Sequence, residues 1–522
     1  PAEHGGLGLS QLHYGRALAL AATWHPAIST MLSAHQSVGV VRPLEQAGTP
    51  QQKARWLPLL AKGSISAFLV TEPGAGSDPS RLSTTAAPDG EAYLLNGTKL
   101  WGTNAGIAEL FFVTARVAAS AGHPGGITAF VVDAHAEGVH LSERNHFMGL
   151  HGVDNRVVRF DSVRVPRENV LGGEGSGLRI ALQALNSGRL ALPATSVGTA
   201  KWALRMAREW ASTRVQGDQP GALNQPGQPI GRHEAIAQKL AFMAASVFGM
   251  EAMWEMASLL VDSGTGSDLR VEAALTKLYC TETAWKVADE LVQIRGGRGY
   301  ETAHSLRDRG ERPVGAEQLL RDLRVHRIFE GSSEVMHLVV AREILAAHPL
   351  AEDAGLFQNP RRAVTFVARA ASFYPSWLAG LARGPGDQSG SYAEYGPLGE
   401  HLRWVERSSR HLAQQIFRGL LRWRSRTPAH QAFLWRVVDI GAELWAVSAA
   451  VVKAQAQAEG EVGEVAELFC RQARRRADRL FSELWRNEDA LATARAAGVL
   501  EGRYTFLEEG ILDPSSLWIP VE

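Results

Sequence analysis

Apolar residues recur at three-to-four spacing through the opening stretches HYGRALALAATW and AISTMLSAHQSVGVVRPLEQAG, which predicts helices. GTPQQKARWLPLLAKG adds a capped helix, with Thr49 ahead of Pro50 at the first helical position. From residue 64 the pattern changes to short β-branched and aromatic runs, ISAFLVTEP, EAYLLNGTKLWGTN, ELFFVTARV, GITAFVVDA and NRVVRFDSVRVP. Gly, Asn, Asp and Pro separate them, which predicts a β-domain, a small barrel or sandwich. Helical periodicity returns in GEGSGLRIALQALNSGRLALPATSVGTAKWALRMAREWASTRV, HEAIAQKLAFMAASVFGMEAMWEMASLLVDS and VEAALTKLYCTETAWKVADELVQI, the signal of an antiparallel bundle. A polar loop, QGDQPGALNQPGQPIG, lies between two of these helices. After a second linker near 349–362, LWRVVDIGAELWAVSAAVV repeats apolar positions at Leu434, Val437, Gly441, Leu444 and Val447. The expected order is therefore helical (1–63), β (64–173), helical bundle (174–348) and further helices (349–522), an α+β chain with no short internal repeat.

At 522 residues, 45% hydrophobic and 21% charged, the composition is globular. Lys+Arg and Asp+Glu both count 54, so no net charge argues for nucleic acid or an anionic membrane. Only eight of the 54 cations are lysines, a bias expected of a GC-rich bacterial genome. Cys280 and Cys470 form no CxxC pair, which points to a reducing, cytoplasmic interior. No apolar run reaches the roughly 18 residues of a membrane span, and no signal peptide is expected.

The familiar motifs are mostly missing. HEAIA lacks the second His of a zinc helix and no metal site is expected; there is no Walker loop, GGEGSGL misses the GxGxxG spacing, and no GxSxG elbow occurs. Two segments carry more. FLVTEPGAGSD (68–78) reads as a strand entering a glycine-rich turn, with Thr71 and Ser77 placed for a flat polar ligand and a phosphate. KLWGTN (99–104) sets an indole, Trp101, beside the Thr103 hydroxyl, although a strand Trp is more often core. In VHRIFEGSSEV (325–335), Glu330 follows the apolar pair Ile328 and Phe329; a surface or capping Glu is the ordinary reading, because buried carboxylates are rare and costly.

Taken together, AFLVTEPGAGSD, LNGTKLWGTNAG, VRVPRENVLGGEGSG, QIRGGRGY and LLRDLRVHRIFEGSSEV resemble, in order and spacing, the acyl-CoA dehydrogenase flavoproteins over about residues 5–346. The helical tail is similar to the extension of the very-long-chain branch. The resemblance implies that fold: an N-terminal helical domain, a middle β-barrel domain, a C-terminal four-helix bundle and an added helical domain. It also implies that the family's first helices precede EHGGLGLS. FAD would be the cofactor, a fatty acyl-CoA the substrate, trans-2-enoyl-CoA the product and an electron-transferring flavoprotein the acceptor. Glu330 would remove the α-proton, raised as a base by desolvation from Ile328, Phe329 and the acyl chain, while the β-hydrogen leaves for the flavin. Some relatives carry the base on a helix at the position of Gly188, where glycine offers no carboxylate.

The other implied roles follow the motifs. Phe68, Leu69, Val70 and Thr71 would line the flavin, Ser77 its phosphate or the pantetheine, and Trp101, Gly102 and Thr103 the isoalloxazine. Arg214 and Gln293 would reach the pyrophosphate and adenine from a neighbouring subunit, with Ser332 and Glu334 completing the dinucleotide contacts. Asn186, Ser187, Gly188, Arg189 and Gly331 would follow the acyl-CoA channel. The chain departs from the pattern where RVQ runs into an insertion across 216–231 instead of Gln-Phe-Gly, in GLHGVDN, and in the long YETAHSLRDRGERPVGAEQ loop. A homodimer is expected, the tail covering surface that shorter relatives use for tetramers. Flavin oxidases and monooxygenases on the same fold, and an assembly scaffold, remain alternatives. The RQARRRADRL helix (471–480) reads as a solvated basic face before it reads as a docking or membrane surface.

Overall fold

A computed structural model describes residues 1–217, 227–264, 268–346, 348–349, 360–457 and 460–512; the side chains of Ser187 and of 360–368 are outside the description. The loop core at 218–226 and most of the second linker lie outside the described residues.

Four helices come first: α1 (Gln11–Trp24), α2 (Pro26–Ser33), α3 (Val41–Ala47) and α4 (Pro50–Ala61). The last has the expected cap, with Thr49 and Gln52 exchanging side-chain and backbone hydrogen bonds. The segment expected as one helix from 27 to 48 is broken. After α2 the backbone widens into a π turn, Ala34–Val38, and Gly39 ends it where a Cβ would lie 2.4 Å from Ser66 Oγ.

The middle domain is an eight-stranded sheet: β1 (Ser66–Leu69), β2 (Thr85–Asp89), β3 (Ala92–Thr103), β4 (Leu110–Val117), β5 (Gly126–Asp133), β6 (Val139–Leu141), β7 (Asn155–Pro166) and β8 (Val170–Leu171). Strand order is β6-β7-β3-β2-β4-β5-β8, with β1 parallel to β4 as a branch. A barrel or sandwich was expected here; the end strands β6 and β8 do not pair with each other among the described residues and so close no ring. One face packs around Leu69, Phe111, Phe130 and Phe160; the other meets α3, α4 and the next helix through Phe112, Val131 and Ile180.

Helical structure resumes with α5 (Gly177–Gly188) and α6 (Ala191–Thr213), which the apolar spacing had joined but which break at Arg189–Leu190. Then follow α7 (Glu234–Asp262), α8 (Arg270–Arg295), the short α9 (Gly297–Tyr300) and α10 (Ala303–Asp308), α11 (Ala316–Arg324) and α12 (Ser333–Ala346). Helix α7 is long and apolar enough to cross a membrane, contrary to the sequence expectation, but it packs as a core helix against α6 and α8 with Met243, Met250, Met253 and Trp254 buried.

The tail adds α13 (Pro360–Ala382), α14 (Gly399–Trp423), α15 (Gln431–Gln457), α16 (Gly460–Glu483) and α17 (Asp489–Leu500). Val437, Leu444 and Val447 of α15 are buried in one core with Met253 of α7, Leu278 of α8 and Met336 of α12. Helix α16 keeps a solvated basic edge at Arg471, Arg475 and Arg479, while Arg474 and Arg476 turn to neighbouring helices. Arg476 pairs with Glu443 at 2.6 Å and donates to Tyr279 Oη at 3.0 Å, Arg474 pairs with Glu400 at 3.3 Å, and Arg471 pairs with Glu467 at 2.5 Å.

Candidate active site

A helix that stops, a turn of left-handed residues and a π turn converge on one carboxylate. After α11 the chain tightens into a 3-10 turn, Val325–Arg327, and the Ile328 and Phe329 amides both return to the Val325 carbonyl at 2.8 and 3.0 Å. Glu330 and Gly331 then adopt φ of 53° and 88°, a reversal that is strained for a non-glycine residue. Ser332 closes the loop by capping α12: its carbonyl accepts from Met336 N at 2.9 Å and its hydroxyl from Val335 N at 3.4 Å.

The reversal turns Glu330 inward, onto the end of α5. A Cβ built on Gly188 would stand 3.3 Å from Glu330 Oε2 and 2.6 Å from Val38 Cγ1 of the π turn. Glu330 Oε2 is buried and accepts no hydrogen bond among the described residues. Burial raises the Glu330 pKa to about 7, against the opposing pull of the Lys277 and Arg189 charges. Tyr14 of α1, hydrogen-bonded to Ser37 Oγ at 2.8 Å, is pushed up to about 12 by burial, with the Glu330 charge contributing. Behind the loop, His326 stacks on Phe329 at 5.5 Å, bonds Ser196 Oγ at 3.0 Å, and is held neutral by burial, its pKa drawn down to about 3.

One expectation about this loop needs correction. Ile328 is 54% exposed, so it does not desolvate the base. The dry wall is built by Val38 and Gly188, from elements remote in sequence. Arg189, only 6% exposed and with an unpartnered Nε among the described residues, faces the base at the α5–α6 break. Asn186 is half-buried one turn earlier, and the Ser187 side chain lies outside the described residues.

The second half of the site is on the sheet. Leu69 and Val70 are buried in the packing on the two faces of the sheet, so neither side chain is free to line a flavin, contrary to expectation, while Phe68 is half-buried and stacks on Phe112 with centroids 4.9 Å apart. That leaves Phe68, Thr71 and the turn beyond them. Glu72 anchors this turn: it accepts from Lys99 Nζ at 2.7 Å and from the Ser83 and Thr84 amides. Burial alone would raise Glu72, but Lys99 and these donors bring it down to about 2, and burial draws Lys99 down to about 8. Gly74 and Gly76 have nothing within 4 Å of a built Cβ and Ser77 is exposed, so the turn offers an open backbone cradle. On β3 the pairing with β7 slips between Lys99 and Gly102, and the bulge throws Trp101 outward, 57% exposed at φ 56°. Gly102 faces inward, where a Cβ would come within 2.7 Å of Leu69 Cδ2, and the Thr103 hydroxyl accepts from Asn155 Nδ2 at 3.0 Å. An exposed indole, a hydroxyl beside it and a glycine cradle fit a flavin and its phosphate.

The two halves are tied together. His35 Nδ1 of the π turn lies 2.9 Å from Ser66 Oγ at the start of β1, Asn104 Nδ2 donates to the Met31 carbonyl at 3.0 Å, and Asp322 of α11 accepts from Leu150 N at 2.6 Å. Arg214 and Gln293 are not part of this gathering. Arg214 ends the 23-residue α6, about 35 Å of helix from Arg189. There its guanidinium lies 5.7 Å from the Trp210 ring, shared with Arg295 at 4.8 Å and Arg298 at 5.7 Å, and Gln293 is exposed nearby in sequence. Lys277 and Tyr14 went unmarked in the sequence, each a single polar position in a helical stripe.

Helical domain, sheet and bundle in this order, with a carboxylate loop in the bundle and a glycine-rich strand end on the sheet, define the fold class of a flavoprotein dehydrogenase. The chain matches the acyl-CoA dehydrogenase N-terminal domain over residues 1–64, the middle domain over 67–163 and the C-terminal domain over 175–345. It is 52% identical to the probable acyl-CoA dehydrogenase FadE10 of Mycobacterium tuberculosis, over 99% of this chain and 79% of that one. It is 38% identical to the mitochondrial very long-chain specific acyl-CoA dehydrogenase of Mus musculus, over 65% of this chain and half of that one. Among solved structures, an acyl-CoA dehydrogenase complexed with FAD from Bacillus anthracis superposes with a TM-score of 0.74 at 27% identity, covering 95% of this chain and 82% of that one. Butyryl-CoA dehydrogenase from Megasphaera elsdenii gives 0.59 at 31% identity, covering 66% of this chain and 85% of that one. The chain belongs to the acyl-CoA dehydrogenase family.

Proposed function

We propose that the protein is an FAD-dependent acyl-CoA dehydrogenase that converts a fatty acyl-CoA to the trans-2-enoyl-CoA and passes the electrons to an electron-transferring flavoprotein. The observation that carries this reading is Glu330: an inward-facing carboxylate with an unpartnered oxygen and a pKa near 7. A carboxylate at its ordinary pKa is too weak a base for a carbon acid, and desolvation strengthens it while leaving about half of it ionised at neutral pH. Glu330 Oε2 takes the α-proton. The Glu330 N–H donates to no acceptor among the described residues, which leaves it to polarise the thioester carbonyl. Val38 packs onto the bare Cα of Gly188 beside the base, which keeps water from it. Trp101, Thr103 and the 73–77 turn would hold FAD, which when bound supplies the two-electron acceptor for the β-hydrogen. Arg214 and Gln293, displaced along the bundle, suit the dinucleotide of a second subunit in a homodimer, whose mass light scattering would read. Retention of Glu330 favours α,β-dehydrogenation over the monooxygenase and scaffold readings.

The test is Glu330→Gln, which keeps shape and cannot accept the proton. Anaerobic bleaching of the flavin by a saturated acyl-CoA is expected to slow by 10²–10⁴-fold while FAD stays bound. Bleaching within tenfold of the wild-type rate would place the base elsewhere.

A further inference from the structure

Lys277 is fully buried on α8 and has no ion-pair partner in contact among the described residues. Its Nζ donates at 2.7 Å to the carbonyl of Gly331, the residue directly after the base. A buried ammonium held by one peptide oxygen is costly to keep, which calls for a compensating interaction nearby. The charged and titratable groups around it come from several elements. Glu282 is on α8 itself, Arg189 at the α5–α6 break, the neutral His326 in the 3-10 turn, Glu330 in the loop and Glu334 on α12, while Tyr14 of α1 lies by Glu330. Glu282 is already engaged by Arg327 at 2.8 Å and by Ser333 Oγ, and Glu334 is exposed. That leaves Glu330 as the buried anion which Lys277 can balance.

We propose that Lys277 is a positioning residue for proton abstraction: its ammonium holds the left-handed Glu330–Gly331 turn by the Gly331 carbonyl, and its charge keeps the Glu330 carboxylate ionised. The proposal rests on Glu330 being the base. Burial draws Lys277 itself down to about 8, so at neutral pH it still carries the proton. A neighbouring unit charge is worth on the order of one or more pH units at an effective dielectric near 20. The sign is fixed: removing the cation disfavours the anion, so the base picks up its proton at higher pH.

The experiment follows anaerobic flavin bleaching by a saturated acyl-CoA from pH 5.5 to 9 in the FAD-loaded full chain, for wild type, K277M, K277Q, K277R and E330Q. In K277M and K277Q the acid limb is expected to move alkaline by about one unit or more, with a roughly tenfold loss at pH 7 that narrows toward pH 9. K277R, which keeps the charge, is expected to hold its midpoint near wild type. K277Q separates the two parts of the role, because its amide can still donate to Gly331 while carrying no charge. A merely structural lysine would lower the rate evenly across pH, so an unshifted midpoint in K277Q overturns the proposal. If the neutral variants fail to fold, K277R decides, and an alkaline shift there overturns it. E330Q bleaching near the wild-type rate instead overturns the assignment of the base, which separates the two failures.

Discussion

A base made strong by burial should cost its protein stability, and that cost can be measured without substrate. The Glu330 carboxyl has an ordinary pKa of 4.5 and is raised to about 7 in the folded chain. Its folded form therefore holds the proton more tightly than its unfolded form. Stability from this group is fully present below pH 4.5 and is lost as pH rises through 7. At 1.36 kcal/mol per unit, the ionised carboxylate costs the folded state about 3 kcal/mol at pH 8 and under about 1 at pH 5. Glu330→Gln removes the titration and keeps the shape. Its melting temperature relative to wild type is expected to rise from pH 5 to pH 8 by about 2–3 °C, taking an unfolding entropy of roughly 1 kcal/mol per degree for a chain of this size. Differential scanning calorimetry of the two FAD-loaded proteins at both pH values gives the comparison. An advantage for Glu330→Gln that is equal at pH 5 and pH 8, or that reverses, would refute the claim that the base is poised by desolvation.

Gly188→Ala puts a methyl group against both Val38 Cγ1 and Glu330 Oε2; bleaching should slow by about 10–100-fold, and adding Val38→Ala should restore thermal stability but not the rate. A double variant that recovers both would mean that the loss came through packing alone. Lys99→Met strands the buried Glu72 carboxylate under the glycine cradle and should destabilise by about 3–5 kcal/mol in chemical denaturation, with Glu72→Gln in the same chain recovering most of it. Non-recovery would show that the pair's hydrogen bonds to Ser83 and Thr84, rather than its charges, hold the turn.

Taken alone, the residues favoured a surface or capping Glu330; the base became legible through the resemblance, which the loop can carry because it is local, with the reversal, the cap at Ser332 and the carboxylate all within six residues. The capped α4 and the long strands were legible for the same reason, since each is specified by its own spacing and end residues. What surrounds the base was not. NSGRLAL reads as unbroken helix, yet the chain breaks at Arg189, and only the packing of α5 and α6 against different neighbours explains why. Val38 reaches the site because a π turn inserts extra residues per turn, which no apolar period announces. Leu69 was misread because a strand sends alternate side chains to opposite faces, and which face meets the ligand is a tertiary fact. The short strands β6 and β8 exist through their partners, having too few residues to carry a pattern of their own.

The shared core of α7, α8, α12 and the tail bears on how this chain can be cut. Met253, Leu278, Met336 and Val340 find their cover in α15, and Arg476 crosses from α16 to Tyr279 of α8. A clone ended near residue 348 to mimic a shorter relative would bare that apolar face while leaving Glu330 and its loop formally intact. Such a truncation would enter inclusion bodies or be cleared by cellular proteases, and its failure would say nothing about catalysis. The tail is a retaining wall of the catalytic half, and a trimmed version would need those four positions redesigned as a wetted surface.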